Sequence, residues 1–215
     1  MTYERKLMPE SGSTDLSIST REMLDAIFAN AHTTNTFSDD AVDLALIAQA
    51  YEDVRWAPTA MNSQPMRLTV VHTPAAKQQL GSQMKPGNRD KTLAAPLTII
   101  AAWDPNWHDH LPHLAPHRGG AREKLDPDLA VREKMAKVSS HLQIGYLIVA
   151  LRAHGLHVGP MTGFNAAGVD EEFHADNGWK TAVMINVGWG PNDDDVNAVR
   201  DRAGRLSFDD ACQVV

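Results

Sequence analysis

Cysteine is almost missing from this chain: Cys212 is the single one among 215 residues. No intramolecular disulfide can form, and nothing argues for an oxidising compartment. Aromatic residues are scarce, at 6%, although five of them are Trp, which points to a few special positions rather than an aromatic surface. Positive charge is in short supply too: 20 Lys and Arg stand against 27 Asp and Glu, for a net charge of -7. That balance weighs against nucleic acid, whose binding depends on cations neutralising phosphates. Long apolar runs are lacking, residues 147–151 being the longest, so no bilayer span and no membrane partner are expected. The first fifteen residues carry charges, Pro and Gly but no apolar h-region, so a cytoplasmic location is expected. The P-loop, the Gly-x-Ser-x-Gly elbow and the His-Glu-x-x-His helix are all absent. Gly188-Trp-Gly190 follows a strand but leads into Pro191 and a run of acids, which would repel phosphate, so it reads as a strand-ending turn.

A chain of this length can bury roughly 70% of its unfolded surface, so one domain with a proper core is expected. Residues 1–18 form a polar lead-in, and residues 19–215 the domain. Ser19 and Glu22 make a capping box for a helix to about Ala31, and a second helix starts near Ser38 and stops before Pro58. The apolar runs 67–72 and 96–103 predict strands, with a helix opened by Thr73-Pro74 between them. Residues 104–127, rich in Pro and His, predict a long lid-like loop. A helix from Asp126-Pro127 to about Ala153 ends at Gly155, and its second half is apolar nearly all round. Such a helix must be buried on every side, at the domain centre or at a subunit interface. A third strand spans 181–188, and Ser207 caps a last short helix. Strands interleaved with helices imply an α/β or α+β domain of three layers.

His108, His110, His113 and His117 could offer zinc three imidazoles. The prolines among them obstruct a preformed tetrahedron, so no metal is expected and a polar lid is the favoured reading. A metal-binding or interaction protein without turnover stays as the least favoured alternative.

Other stretches are more specific in combination: Asn88-x-x-Lys91-Thr-Leu-x-Ala-Pro96, Ala102-Trp-Asp104, Leu111-Pro112, Pro116-His117, Tyr146-Leu-Ile-Val-Ala150, Gly159-Pro-Met-x-Gly-Phe164 and Arg205-Leu-Ser-Phe208. In this order they resemble the FMN-dependent nitroreductase family over nearly all of residues 20–214. Within it they are most similar to the malonic semialdehyde reductase subgroup of pyrimidine catabolism. The resemblance implies an α+β fold with a central, mainly antiparallel sheet wrapped by helices, and an intertwined homodimer with FMN at the interface.

It further implies the site. His32, Thr33 and Arg205 match the phosphate-binding positions, with His32 near a usual arginine and Ala203 where a lysine is common, so Arg202 could substitute. Asn35, Asn88 and Lys91 would line the flavin, Lys91 carrying the charge that stabilises the reduced ring. Pro160, Met161, Thr162 and Gly163 would face N5 of the ring, while Pro58, Thr59, Ala60 and Asn62 of a partner subunit would flank it. The implied chemistry is a ping-pong hydride transfer from NADPH or NADH, through FMN, to a small aldehyde acid, malonic semialdehyde giving 3-hydroxypropionate. Lys91, Thr162 and Gly163 are the expected catalytic positions, with His117 or water delivering the proton. Arg118 and Arg122 are the candidate cations for the substrate carboxylate. Nitroaromatic or quinone reduction on the same scaffold is the alternative.

Overall fold

The protein, represented by a computed structural model, is described over residues 20–191 and 201–215. The lead-in and Ser19, the expected helix cap, lie outside those residues. The architecture is α+β, built on a four-stranded antiparallel sheet of order β1-β2-β4-β3. The strands are β1 (Met66–Val71), β2 (Leu97–Trp103), β3 (His157–Met161) and β4 (Lys180–Gly188). All residues of β2 are buried, because both faces of the sheet are covered. Leu97, Ile99 and Ala101 pack on one side with Ile47, Ile144 and Leu151, and Ile100 packs on the other with Leu80 and Val169. The buried Thr98 hydroxyl donates to Asn186 Oδ1 across the β2–β4 pair at 2.7 Å, satisfying two polar groups that burial would otherwise penalise.

The helices are α1 (Thr20–Leu24, continued by a π-helical turn over Asp25–Ala29), α2 (Leu44–Val54), α3 (Pro74–Gln83), α4 (Pro86–Ala94), α5 (Leu111–Leu114), α6 (Ala121–Leu125), α7 (Leu129–Ala153), α8 (Ala166–Phe173) and α9 (Phe208–Ala211). As expected, Thr73 caps α3 by accepting from Ala76 N, and Ser207 caps α9 by accepting from Asp210 N. The start expected near Ser38 is corrected: Asp43 is the cap of α2, while Ser38 bonds Asp40 in a local turn. β3, α4 and α8 were not foreseen. β3 carries Gly159 and Pro160 and shows no apolar alternation, and α4 opens on Pro86-Gly87, which reads as a turn.

Residues 104–127 depart from a plain loop. They hold a 3₁₀ turn (Trp107–His110), α5 and α6. Trp107 is fully buried and its indole donates to Arg132 O at 3.0 Å. The neighbouring His108 Nε2 lies 3.1 Å from Asp126 and 2.7 Å from Arg132 Nη1. This segment is anchored to the first turn of α7.

α7 is not buried on every side within one chain. Its inner face supplies Ile144, Leu147 and Leu151 to the core, whereas Val138, Leu142 and Tyr146 are 61%, 52% and 48% exposed. Those positions recur at helical spacing as one outer apolar stripe. Among the described residues no helix is long and apolar enough to cross a membrane.

His174, buried at the end of α8, lies 3.0 Å from Thr69 Oγ1, and burial, partly opposed by Asp170, holds its pKa below the ordinary value. A histidine that resists protonation only when folded contributes fully above its unfolded pKa, about 6.5, and that contribution is lost as pH falls below it. Urea midpoints should therefore drop between pH 7.5 and pH 5.5, and His174→Gln should reduce that drop.

Candidate functional site

Asn88 and Lys91 stand three residues apart on α4, so one helix face presents both. Opposite them runs the segment 31–35, fixed to β3 by Thr34 N donating to Val158 O at 3.0 Å. The approach is close enough that a Cβ at Gly159 would sit 2.5 Å from Thr34 O, so only glycine fits there. Lys91 Nζ donates to Asn35 Oδ1 at 2.8 Å and thus points inward rather than into solvent. On the other flank, Asn88 Nδ2 and Lys85 N both donate to Gly163 O, at 3.1 and 3.0 Å. A side chain at Gly163 would overlap Asn88 Nδ2.

These elements enclose a cavity of about 810 Å³, whose lining includes His32, Thr33, Asn35, Asn88, Lys91 and Arg205. Six residues expected from separate stretches of sequence thus meet at one place. Arg152 and Arg202 join them. Arg152, near the end of α7, donates to Ile27 O at 3.0 Å, while its Nε is buried without a partner. Burial lowers its pKa, and among the described residues no carboxylate lies within ion-pairing distance. The same charge, after burial itself, keeps His157 below its ordinary pKa. Arg202 donates to His32 Nε2 at 2.8 Å, and Arg205 donates to the carbonyls of Ala203 and Gly204. Among the described residues, Asp201 is the one acidic group lining this cavity, against Lys91, Arg152, Arg202 and Arg205. In a chain of net charge -7, that is a local excess of cations.

The other expected residues fall elsewhere in the single chain. Pro58, Thr59 and Asn62 line a separate cavity of about 270 Å³. Met61, Asn62 and Gln64 around it hold φ of 58°, 54° and 41°, left-handed geometry that costs on the order of 1–3 kcal/mol per non-glycine residue. Thr59 Oγ1, accepting from Gln64 N, and Asn62, donating to Leu114 O, hold this strained turn in place. Ala60 N donates to Ser139 on α7. Pro160 and Met161 lie in β3, outside the lining of the cationic cavity, and Thr162 is exposed. His117 and Arg118 are exposed, away from the lining of the cationic cavity. Arg122 is already engaged: it donates to Asp109 at 2.8 Å, which raises its pKa, and lies 3.8 Å from Asp126. Asp126 in turn has its pKa lowered, first by its hydrogen bond with His108. Arg122, one of the two candidate cations for the substrate carboxylate, is thus paired with acidic side chains in this structure. No metal-binding cluster of His, Cys, Asp and Glu occurs among the described residues.

A model of the Nitroreductase family matches residues 29–189. The chain belongs to the nitroreductase family. A relative from Leptothrix cholodnii, provisionally named NADH dehydrogenase/NAD(P)H nitroreductase, is 42% identical over 192 residues, covering 89% of this chain and 95% of the relative. One from Stutzerimonas stutzeri with the same provisional name is 43% identical over 189 residues, covering 88% and 94%. In fold, this nitroreductase-family chain is similar to a provisionally named nitroreductase in complex with FMN from Exiguobacterium sibiricum. The TM-score is 0.73 at 18% identity, covering 94% of this chain and 100% of the other. A provisionally named NAD(P)H:FMN oxidoreductase from Staphylococcus epidermidis gives 0.75 at 16% identity, covering 89% and 95%.

The cavity of this nitroreductase-family member fits FMN on its own chemistry. A half-buried guanidinium whose Nε is buried without a partner suits an anion, and a phosphate ester supplies one. Asn88, Asn35 and the Gly163 backbone offer amide groups for a polar ring edge. Arg152 was missed in the sequence, although it is the cation that closes the apolar run 147–151. Replacing Arg152 by Met keeps the buried stem and removes the unpaired charge. The apo protein should then melt at the same temperature or higher, while FMN binds at least tenfold more weakly by fluorescence quenching.

Proposed function

We propose that this chain is an FMN-dependent NAD(P)H oxidoreductase that reduces a small aldehyde acid, malonic semialdehyde giving 3-hydroxypropionate. The observation that carries the cofactor is the cationic cavity, with Arg152 orphaned inside it. When bound, FMN would supply the redox chemistry, the transfer of one hydride from a nicotinamide to the substrate. The chain's own residues then have three tasks. Arg152, Arg202, Arg205 and His32 hold the phosphate end. Lys91, oriented by Asn35, places positive charge where the reduced ring becomes anionic. Gly163, bonded to Asn88, leaves the 160–163 backbone open for close approach.

The substrate reading rests on the residue-by-residue resemblance and on a cation for the carboxylate. With Arg122 engaged by Asp109, that cation is Arg118. The nitroaromatic or quinone reading has one finding behind it, the provisional name of relatives 42–43% identical to this chain. Steady-state turnover of 3-oxopropanoate, nitrofurazone and menadione with NADPH and NADH separates the two. The aldehyde acid is expected to have the highest kcat/KM, and Arg118→Ala is expected to lower that value at least tenfold while sparing menadione. A preference for nitrofurazone with no aldehyde turnover contradicts the substrate reading and leaves the cofactor reading standing.

A homodimer belongs to the same proposal. The outer stripe of α7 offers apolar surface that one chain leaves in water. The strained 58–64 turn lines a cavity apart from the cationic one, so a second copy would complete the site by bringing its own turn across. Leu142→Asp should convert the dimer to monomer in light scattering and cost the protein its bound flavin.

A further inference from the structure

We propose that His32 is a proton-linked phosphate ligand, so that FMN binding takes up a proton and weakens as pH rises through neutrality. The inference deepens the FMN reading and rests on it. Its basis is one contact: Arg202 donates to His32 Nε2 at 2.8 Å, in the wall of the cationic cavity. A guanidinium has donors only, so in this contact Nε2 stands as the acceptor and offers its lone pair. A phosphate entering between the two reverses that demand. Its oxygens accept only, so Arg202 transfers its hydrogen bond to the phosphate and His32 is favoured as a doubly protonated donor. No bond other than hydrogen bonds changes, and the proton comes from solvent.

The other charged groups facing His32 cannot produce this dependence. They are Lys91 on α4, Arg152 on α7, and Asp201, Arg202 and Arg205 in the 201–205 segment, residue types whose ordinary pKa values lie outside the neutral range. His157 on β3, near Arg152 and bonded to Thr34, is held below its ordinary pKa by burial and then by Arg152, so it is neutral there. The phosphate monoester is already mainly dianionic above about pH 6.5. Histidine is the remaining side chain that changes charge in this window.

The test is the Kd of the full-length protein for FMN and for riboflavin, by flavin fluorescence quenching between pH 6.5 and 8.5. For FMN, affinity should fall roughly fivefold over this range, and for riboflavin, which has no phosphate, it should stay flat. His32→Arg should bind FMN with a flat profile, and His32→Gln should be flat and weaker at the acid end. Calorimetry at pH 7 in buffers of different ionisation enthalpy should show net proton uptake on FMN binding alone. A flat FMN profile in the wild type, or an equal slope for riboflavin, overturns the assignment of His32 while leaving the cofactor intact. Absence of FMN binding at every pH overturns both.

Discussion

The burial of α7 against the sheet is the constraint on which the rest of this structure depends. One face of the helix closes the core through Ile144, Leu147 and Leu151. Its first turn receives the Trp107 indole and fixes the 104–127 segment. Its C-terminal turn sends Arg152 into the wall of the cationic cavity, and its outer stripe remains apolar and wet. A single element therefore sets the core, the placement of the critical charge and the exposed apolar stripe proposed as the dimer surface. The strained 58–64 turn is tied to the same helix through Ala60 and Ser139.

The electrostatics follow from that placement. An acidic protein lowers the affinity of any anion unless charge is concentrated locally. Here the concentration is built from four separate parts of the chain: segment 31–35, α4, the end of α7 and residues 201–205. Holding like charges together costs stability, and Arg152 without a carboxylate is the costliest of them. Structures keep such costs where a ligand offsets them. The expected ligand is an anionic cofactor, and the family to which the chain belongs supports FMN.

Much of the fold was legible because it is written in local chemistry. β1, β2 and β4 are β-branched runs between turn signals, and the caps Thr73 and Ser207 act within three residues. β3 and α4 were not legible, since Gly159-Pro160 and Pro86-Gly87 carry turn chemistry that tertiary pairing with β4 and Gly163 overrides. The 104–127 segment looked irregular because proline suits the first turn of a helix as well as a loop, as Pro112 in α5 shows. In the site, six residues that the resemblance picked from separate stretches line one cavity. Arg152 and the left-handed run at Met61, Asn62 and Gln64 depend on long-range packing, which no spacing rule records. The engagement of Arg122 by Asp109 is likewise a contact across thirteen positions that sequence order alone does not reveal.

The central claim is that uncompensated cations in one cavity exist to hold FMN. Its most direct test is the visible spectrum of the purified protein after incubation with FMN and removal of free flavin by gel filtration. Bands near about 370 and 450 nm, at about one flavin per chain, are predicted. A colourless protein would contradict the claim.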